Sequence, residues 1–178
     1  KFERENILKK FNDTEVSYNS QKTIVEDFLD QVSSTPEKIA LAYQNEEITY
    51  AELNERSNQL AHYLISSGIQ ENSVIALCID RSIEMMIGIL GIFKRGATYL
   101  PLDPSYPIDR IDYMVEDSKA QFLITKEEIA GLLPKNANII SFEEESIWKC
   151  LKENLEFLPT FSNVLDYMLK LDDFSLYE

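Results

Sequence analysis

Few of the residues that carry out chemistry in proteins occur here at a spacing that would let them cooperate. The single histidine, His62, lies in a stretch of helical periodicity among polar neighbours. That pattern describes an exposed or half-buried surface residue, and it leaves imidazole-based proton transfer without support. Cys78 sits inside the apolar run VIALCID and Cys150 two residues after Trp148, with neither CxxC spacing nor a nearby histidine. Two buried, reduced thiols fit this better than a metal site. Asp109 and Asp112 fall one turn apart beside Arg110. Paired carboxylates can divide acid and base roles, but only where burial raises one pKa, and a solvated helix face accounts for this pair. Ser82 follows Arg81 at a strand-to-helix junction, where a hydroxyl can help bind an anion but more simply caps the helix. Gly88 and Gly91 lie within a helical run and lack the G-x-G-x-x-G that would follow a strand in a dinucleotide site, so they read as packing positions. The clusters Glu143-Glu144-Glu145 and Asp172-Asp173 read as solvated surface. No residue is assigned a catalytic, cofactor-binding or metal-ligating role.

The elements that position these residues alternate in type. Thr23 can cap a helix in which Ile24, Val25, Phe28, Leu29 and Val32 recur at helical spacing and which stops before Pro36. IALAYQ and EITY then flank Asn45-Glu46 as a hairpin. Thr49 and Glu52 have capping-box spacing, Leu53, Leu60, Ala61, Leu64 and Ile65 form a stripe, and Gly68 ends the helix. VIALCI lacks the alternation of a one-sided strand, which points to a sheet buried on both faces. A helix over 82–94, a strand over 99–102, a helix over 107–118, the strand QFLIT, a short helix over 126–133, the strand NIISF and a helix over 143–155 follow. The expected fold is therefore α/β, a mostly parallel sheet with flanking helices. Residues 1–20 lack sustained periodicity and read as a linker or arm, and a helix is expected over 163–171, packed by Leu165 and Met168.

Composition narrows the function classes. With 178 residues and 44% hydrophobic content the chain can build one sizeable core. Seventeen basic against 31 acidic residues, a formal charge of −14, argue against nucleic acid and anionic membranes as partners. No stretch approaches the roughly 18 apolar residues a membrane helix needs, and the opening KFERENILKKFNDTE lacks the features of a secretory signal, so a cytoplasmic location is expected.

FKRGATYLPLDPSYP, residues 93–107, writes a helix stop, a strand and a proline-fixed turn in succession. This run resembles the second core motif of the amino-acid-activating adenylation domains of nonribosomal peptide synthetases. ITYAELNERSNQLAHYL resembles their first core motif, and FNDTEVSYNSQKTIVEDFLDQVSSTPEKIAL resembles the entry to such domains, including the linker arriving from a condensation domain. The resemblance covers about 140 residues, from roughly Phe11 to Phe142. It implies the N-terminal subdomain of the adenylate-forming fold shared with acyl-CoA synthetases and luciferases, occupying residues 21–178 after the arm. For a complete family member it implies ATP-dependent amino-acid adenylation with magnesium, loading of a carrier's phosphopantetheine thiol, and contacts with the rest of the domain and with neighbouring condensation and carrier domains. The family's phosphate loop, typically YTSGTTGxPKG, has no counterpart here. At its expected place Lys170, Leu171, Asp172, Asp173 and Phe174 follow Tyr167, and two carboxylates would repel phosphate. The expectation is a piece of an adenylation domain, ending before the phosphate loop and inactive alone; the alternative is a degenerate stub acting as a structural or interaction module in a synthetase assembly.

Overall fold

Two reciprocal caps set the start of two helices in the computed structural model, which describes residues 2–14, 17, 22–133 and 137–155. The Glu26 N–H donates to Thr23 Oγ1 (3.2 Å) while the Thr23 N–H donates to the Glu26 carboxylate (2.7 Å), opening α2 (Ile24–Ser34). Thr49 and Glu52 repeat the device at 3.2 and 2.9 Å to open α3 (Tyr50–Ser66). Between these helices, β1 (Ile39–Tyr43) and β2 (Glu46–Thr49) pair antiparallel. Their turn falls at Gln44 and Asn45, one residue earlier than expected, and Gln44 takes a left-handed φ of 55° where glycine is the usual choice.

The main sheet has the order β4-β3-β5-β6, from β3 (Val74–Cys78), β4 (Thr98–Leu102), β5 (Phe122–Thr125) and β6 (Asn138–Ser141), and every pairing is parallel. Alternation along β3 divides the core in two. Ile75 and Leu77 join the cluster built with α3 and α4 (Ile83–Lys94), whereas Ala76 and Cys78 join Ile111 and Val115 of α5 (Ile108–Ser118) on the other face. A strand covered on both sides must be apolar throughout, which is why VIALC shows no alternation of polarity.

α4 lies against both the sheet and α3, and its two glycines make room on different sides. A Cβ at Gly88 would stand 2.9 Å from Leu77 on the sheet, and one at Gly91 would stand 2.6 Å from Leu60 on α3. Gly91 therefore serves a helix–helix contact, not the sheet. Ile65, counted in the buried stripe of α3, is 43% exposed, because the helix turns that position past the edge of the core.

Three further expectations are corrected. The arm carries a helical segment, α1 (Phe2–Glu5), continuing as a π-helix over Asn6–Lys10. It buries none of its residues in that π turn, so the sequence had no apolar stripe to reveal it. The helix over 126–133 shrinks to α6 (Glu127–Ala130). The helix over 143–155 is the single turn α7 (Glu145–Trp148), after which side-chain donors of α3 draw the chain across that helix instead of letting it continue. The helix expected over 163–171 lies outside the described residues.

Gly68 and Gly96 follow α3 and α4 with φ of +79° and +73°. Replacing Gly96 with valine forces a β-branched side chain into a conformation costing about 1 kcal/mol or more. Gly96→Val should therefore lower the thermal midpoint well below that of His62→Ala, and equal midpoints would contradict this account of the α4–β4 turn.

Candidate functional site

The chain leaves β3 toward β4 through α4 and leaves β5 toward β6 through α6, so the adjacent strands β3 and β5 send their connections in opposite directions. Open α/β sheets form a crevice at such a point, beyond the carboxyl ends of the strands. Here it has a volume of about 280 Å³, and Asp80, Arg81, Ser82, Glu84, Lys126 and Ile129 contribute to its walls. Ser82 acts as the cap its position suggested, its Oγ accepting from the Met85 N–H at 3.2 Å. Glu84, in the first turn of α4, pairs with Lys126 at 3.4 Å and ties α4 to the end of β5. Partial burial pushes the Glu84 carboxyl up, but its own backbone N–H and Lys126 outweigh burial and hold it below its ordinary value.

This crevice is poorly suited to a triphosphate. Asp80, Glu84, Glu46 and Glu128 outnumber Arg81 and Lys126 on its walls, and Lys126 is already paired with Glu84. Nor is the nearby thiol a ready nucleophile. Cys78 is fully buried nearby, and burial, reinforced by Asp103 and Asp80, pushes its thiol up to about 11. The Cys78 carbonyl is engaged as well, accepting from Thr125 Oγ1 at 2.7 Å.

The other candidates are scattered over the fold. His62 is half-buried, with Nε2 3.1 Å from the Glu153 carbonyl. Asp109 is exposed and Asp112 half-buried, while Arg110 lies over the Tyr106 ring at 4.0 Å. Cys150, expected to be buried, is half-buried, and its Sγ donates to the Ser146 carbonyl at 3.4 Å. The acidic cluster is more than solvated surface: the Glu143 carboxylate accepts from the Ser141 hydroxyl and the Glu127 N–H, and Glu144 accepts from the Tyr63 hydroxyl at 2.6 Å. Asp172-Asp173 lies outside the described residues. Among the described residues, no three His, Cys, Asp or Glu side chains are grouped as a metal site would require.

The most unusual polar group was not singled out in the sequence. Lys94, in the last turn of α4, is 1% exposed. Its Nζ donates to Asn54 Oδ1 (2.7 Å), Ser57 Oγ (2.8 Å) and Asn58 Oδ1 (2.6 Å), with the Asn54 carbonyl at 3.2 Å and the Phe28 ring centroid at 5.3 Å. Burial pushes its ammonium down to about 7. The signal was available: Lys94 lies three residues after Gly91 and seven after Ile87, on the buried face of α4, and Ser57 falls within the apolar stripe of α3.

Comparison with known proteins gives this geometry its context. Residues 28–164 match the AMP-binding enzyme family. The chain is 44% identical over 154 residues to tyrocidine synthase 3 from Brevibacillus parabrevis, covering 86% of the chain and 2% of that protein. It is 40% identical over 153 residues to gramicidin S synthase 2 from Brevibacillus brevis, covering 86% of the chain and 3% of the relative. The N-terminal subdomain of Klebsiella oxytoca NpsA superposes with a TM-score of 0.70 at 24% identity, over 80% of this chain and 36% of that one, a likeness of fold. The chain belongs to the AMP-binding enzyme family. Within it, the chain is an N-terminal portion of a nonribosomal peptide synthetase adenylation domain, and it spans only a few per cent of the length of these synthase relatives.

The thiols provide a test of this chemistry. At pH 8 the native chain should react with one equivalent of a disulfide reagent, at Cys150, and Cys78 should react only after denaturation. Modification of Cys78 at a similar rate in the native state would contradict its burial and raised pKa.

Proposed function

We propose that this chain forms the scaffold layer of an enzyme that activates an amino acid with ATP and passes it to a carrier's phosphopantetheine thiol. The match of residues 28–164 to the AMP-binding enzymes carries this reading, and identities of 44% and 40% to a tyrocidine and a gramicidin S synthase support its assignment to peptide synthesis. Residues 21–178 form the N-terminal subdomain portion in this proposal, and residues 1–20 the linker entering it. The working assembly is cytoplasmic, with the rest of the adenylation domain and neighbouring condensation and carrier domains as partners. No helix among the described residues is long and apolar enough to cross a membrane.

Scaffold is the role for which these side chains are suited. The crevice at the end of the sheet is predominantly acidic, the buried thiol is held protonated, and the amine of Lys94 is fully enclosed. Positioning and charge stabilisation of a reacting triphosphate need a dense set of donors aimed at its oxygens, and the sequence contains no glycine- and hydroxyl-rich loop followed by lysine to supply them. In this reading magnesium and ATP are held by residues other than the described ones.

The 178-residue chain alone should show no amino-acid-dependent ATP–pyrophosphate exchange. Grafted in place of the matching 154 residues of tyrocidine synthase 3, it should give a folded hybrid in which exchange is retained. Exchange by the isolated chain, purified free of host ligases, would overturn the scaffold role, and a folded but inactive hybrid would count against the adenylating one.

A further inference from the structure

Residues 148–154 cross α3 without forming a helix or strand of their own beyond Trp148, and side chains of α3 hold them there. Asn58 Nδ2 donates to the Lys152 carbonyl at 2.6 Å and to Asn154 Oδ1 at 3.1 Å, and Asn54 Nδ2 reaches the same Asn154 Oδ1 at 3.2 Å. Gln59 Nε2 donates to the Trp148 carbonyl at 2.6 Å, and His62 Nε2 lies 3.1 Å from the Glu153 carbonyl. Outside this row, Lys152 pairs with Glu55 at 2.8 Å. Asn54, Asn58 and His62 are spaced i, i+4, i+8, so one line of α3 presents nitrogen to a segment that presents oxygen.

The orientation of the two asparagines is decided from the opposite side. An amide carries an acceptor at one end and donors at the other, and a lysine amine surrounded only by acceptors acts as a donor. Lys94 Nζ contacts Asn54 Oδ1 at 2.7 Å and Asn58 Oδ1 at 2.6 Å, which turns both oxygens inward and both NH₂ groups outward, toward Lys152 and Asn154. An amide reversed by half a turn would set its NH₂ against the amine and its oxygen against the oxygens of the crossing segment, both repulsive.

We propose that Lys94 is a positioning residue for the 148–154 segment, which it latches onto α3 through the side-chain amides of Asn54 and Asn58 without touching it. The latch is a two-layer hydrogen-bond relay: amine to amide oxygen inside, amide nitrogen to strap oxygen outside. Its consequence is a segment whose docking responds to a change at the α3–α4 contact, while the parallel sheet is unaffected.

Hydrogen–deuterium exchange on the intact 178-residue chain tests the relay, comparing the peptide over 148–155 with peptides over β3 and β5. Asn58→Asp separates the two layers, since it keeps oxygen facing Lys94 but replaces the outer donor with a second oxygen. It should speed exchange in 148–155 at least tenfold while leaving β3 and β5 unchanged. Lys94→Met should also speed exchange in 148–155, by more than Leu123→Ala, a core substitution of comparable cost on the other face of the sheet that reports the effect of general destabilisation. Unchanged exchange in 148–155 for Asn58→Asp, or a Lys94→Met effect there no larger than that of Leu123→Ala, would overturn the proposal. If Lys94→Met does not fold, Asn58→Asp decides alone.

Discussion

A primary amine enclosed between two helices must be given an oxygen for each of its N–H bonds, and much of this fold is arranged around that requirement at Lys94. Leaving such a donor unpaired in the interior costs on the order of 1–3 kcal/mol, and more if it is charged. Three short contacts to Asn54, Ser57 and Asn58 meet the demand, and each comes from α3. They can reach only because α3 and α4 approach closely where Gly91 admits Leu60. The glycine and the lysine, three residues apart, are thus two parts of one contact: close packing on one turn, polar registration on the next. Apolar ridges alone could slide or rotate past one another, and a caged amine restricts that freedom.

From this contact the rest of the layer can be followed outward. α4 is held against α3 on one side and, through Gly88 and Leu77, against the sheet on the other. The central strand β3 is covered on both faces, so it is apolar throughout. At the carboxyl ends of the strands the switch between β3 and β5 produces a crevice of the kind in which many α/β proteins bind ligands. In this chain its walls are mainly acidic and its cations partly neutralised. Fold and function are separable in this way: the architecture supplies a place for a site, and the charges on its walls decide which ligands suit it.

How much of this was legible in the sequence depended on whether the signal was local. The cap at Thr23, the capping box at Thr49, the cap at Ser82 and the glycine that ends α4 were readable because each is a short-range pattern with a defined geometry. The parallel sheet was readable from the unbroken apolar character of residues 74–79. Features set by distant partners were not. The helix expected over 143–155 stops after Trp148 because donors nearly a hundred residues earlier capture the backbone. The segment before Lys10 folds as a helix that buries no apolar stripe, and periodicity cannot report such an element. Lys94 occupies a last-turn position where a cation commonly suits the helix dipole; its place on the buried face of α4 was visible, but its partners Asn54, Ser57 and Asn58 were not, because they lie on α3. The crevice carried no motif, since Asp80 and Arg81 follow β3, Glu84 lies in the first turn of α4 and Lys126 follows β5, and only the topology brings them together.

The polar contact between α3 and α4 contributes more to the stability of this layer than the ion pair in the charged crevice at the sheet end. Urea unfolding of Lys94→Met and Lys126→Met at pH 7 compares the two directly. Lys94→Met leaves buried oxygens of Asn54, Ser57 and Asn58 without their donor and should lower stability by about 3 kcal/mol or more. Lys126→Met breaks a partly exposed ion pair with Glu84 and should cost less than about 1 kcal/mol. Equal losses, or a larger loss at Lys126, would contradict the account.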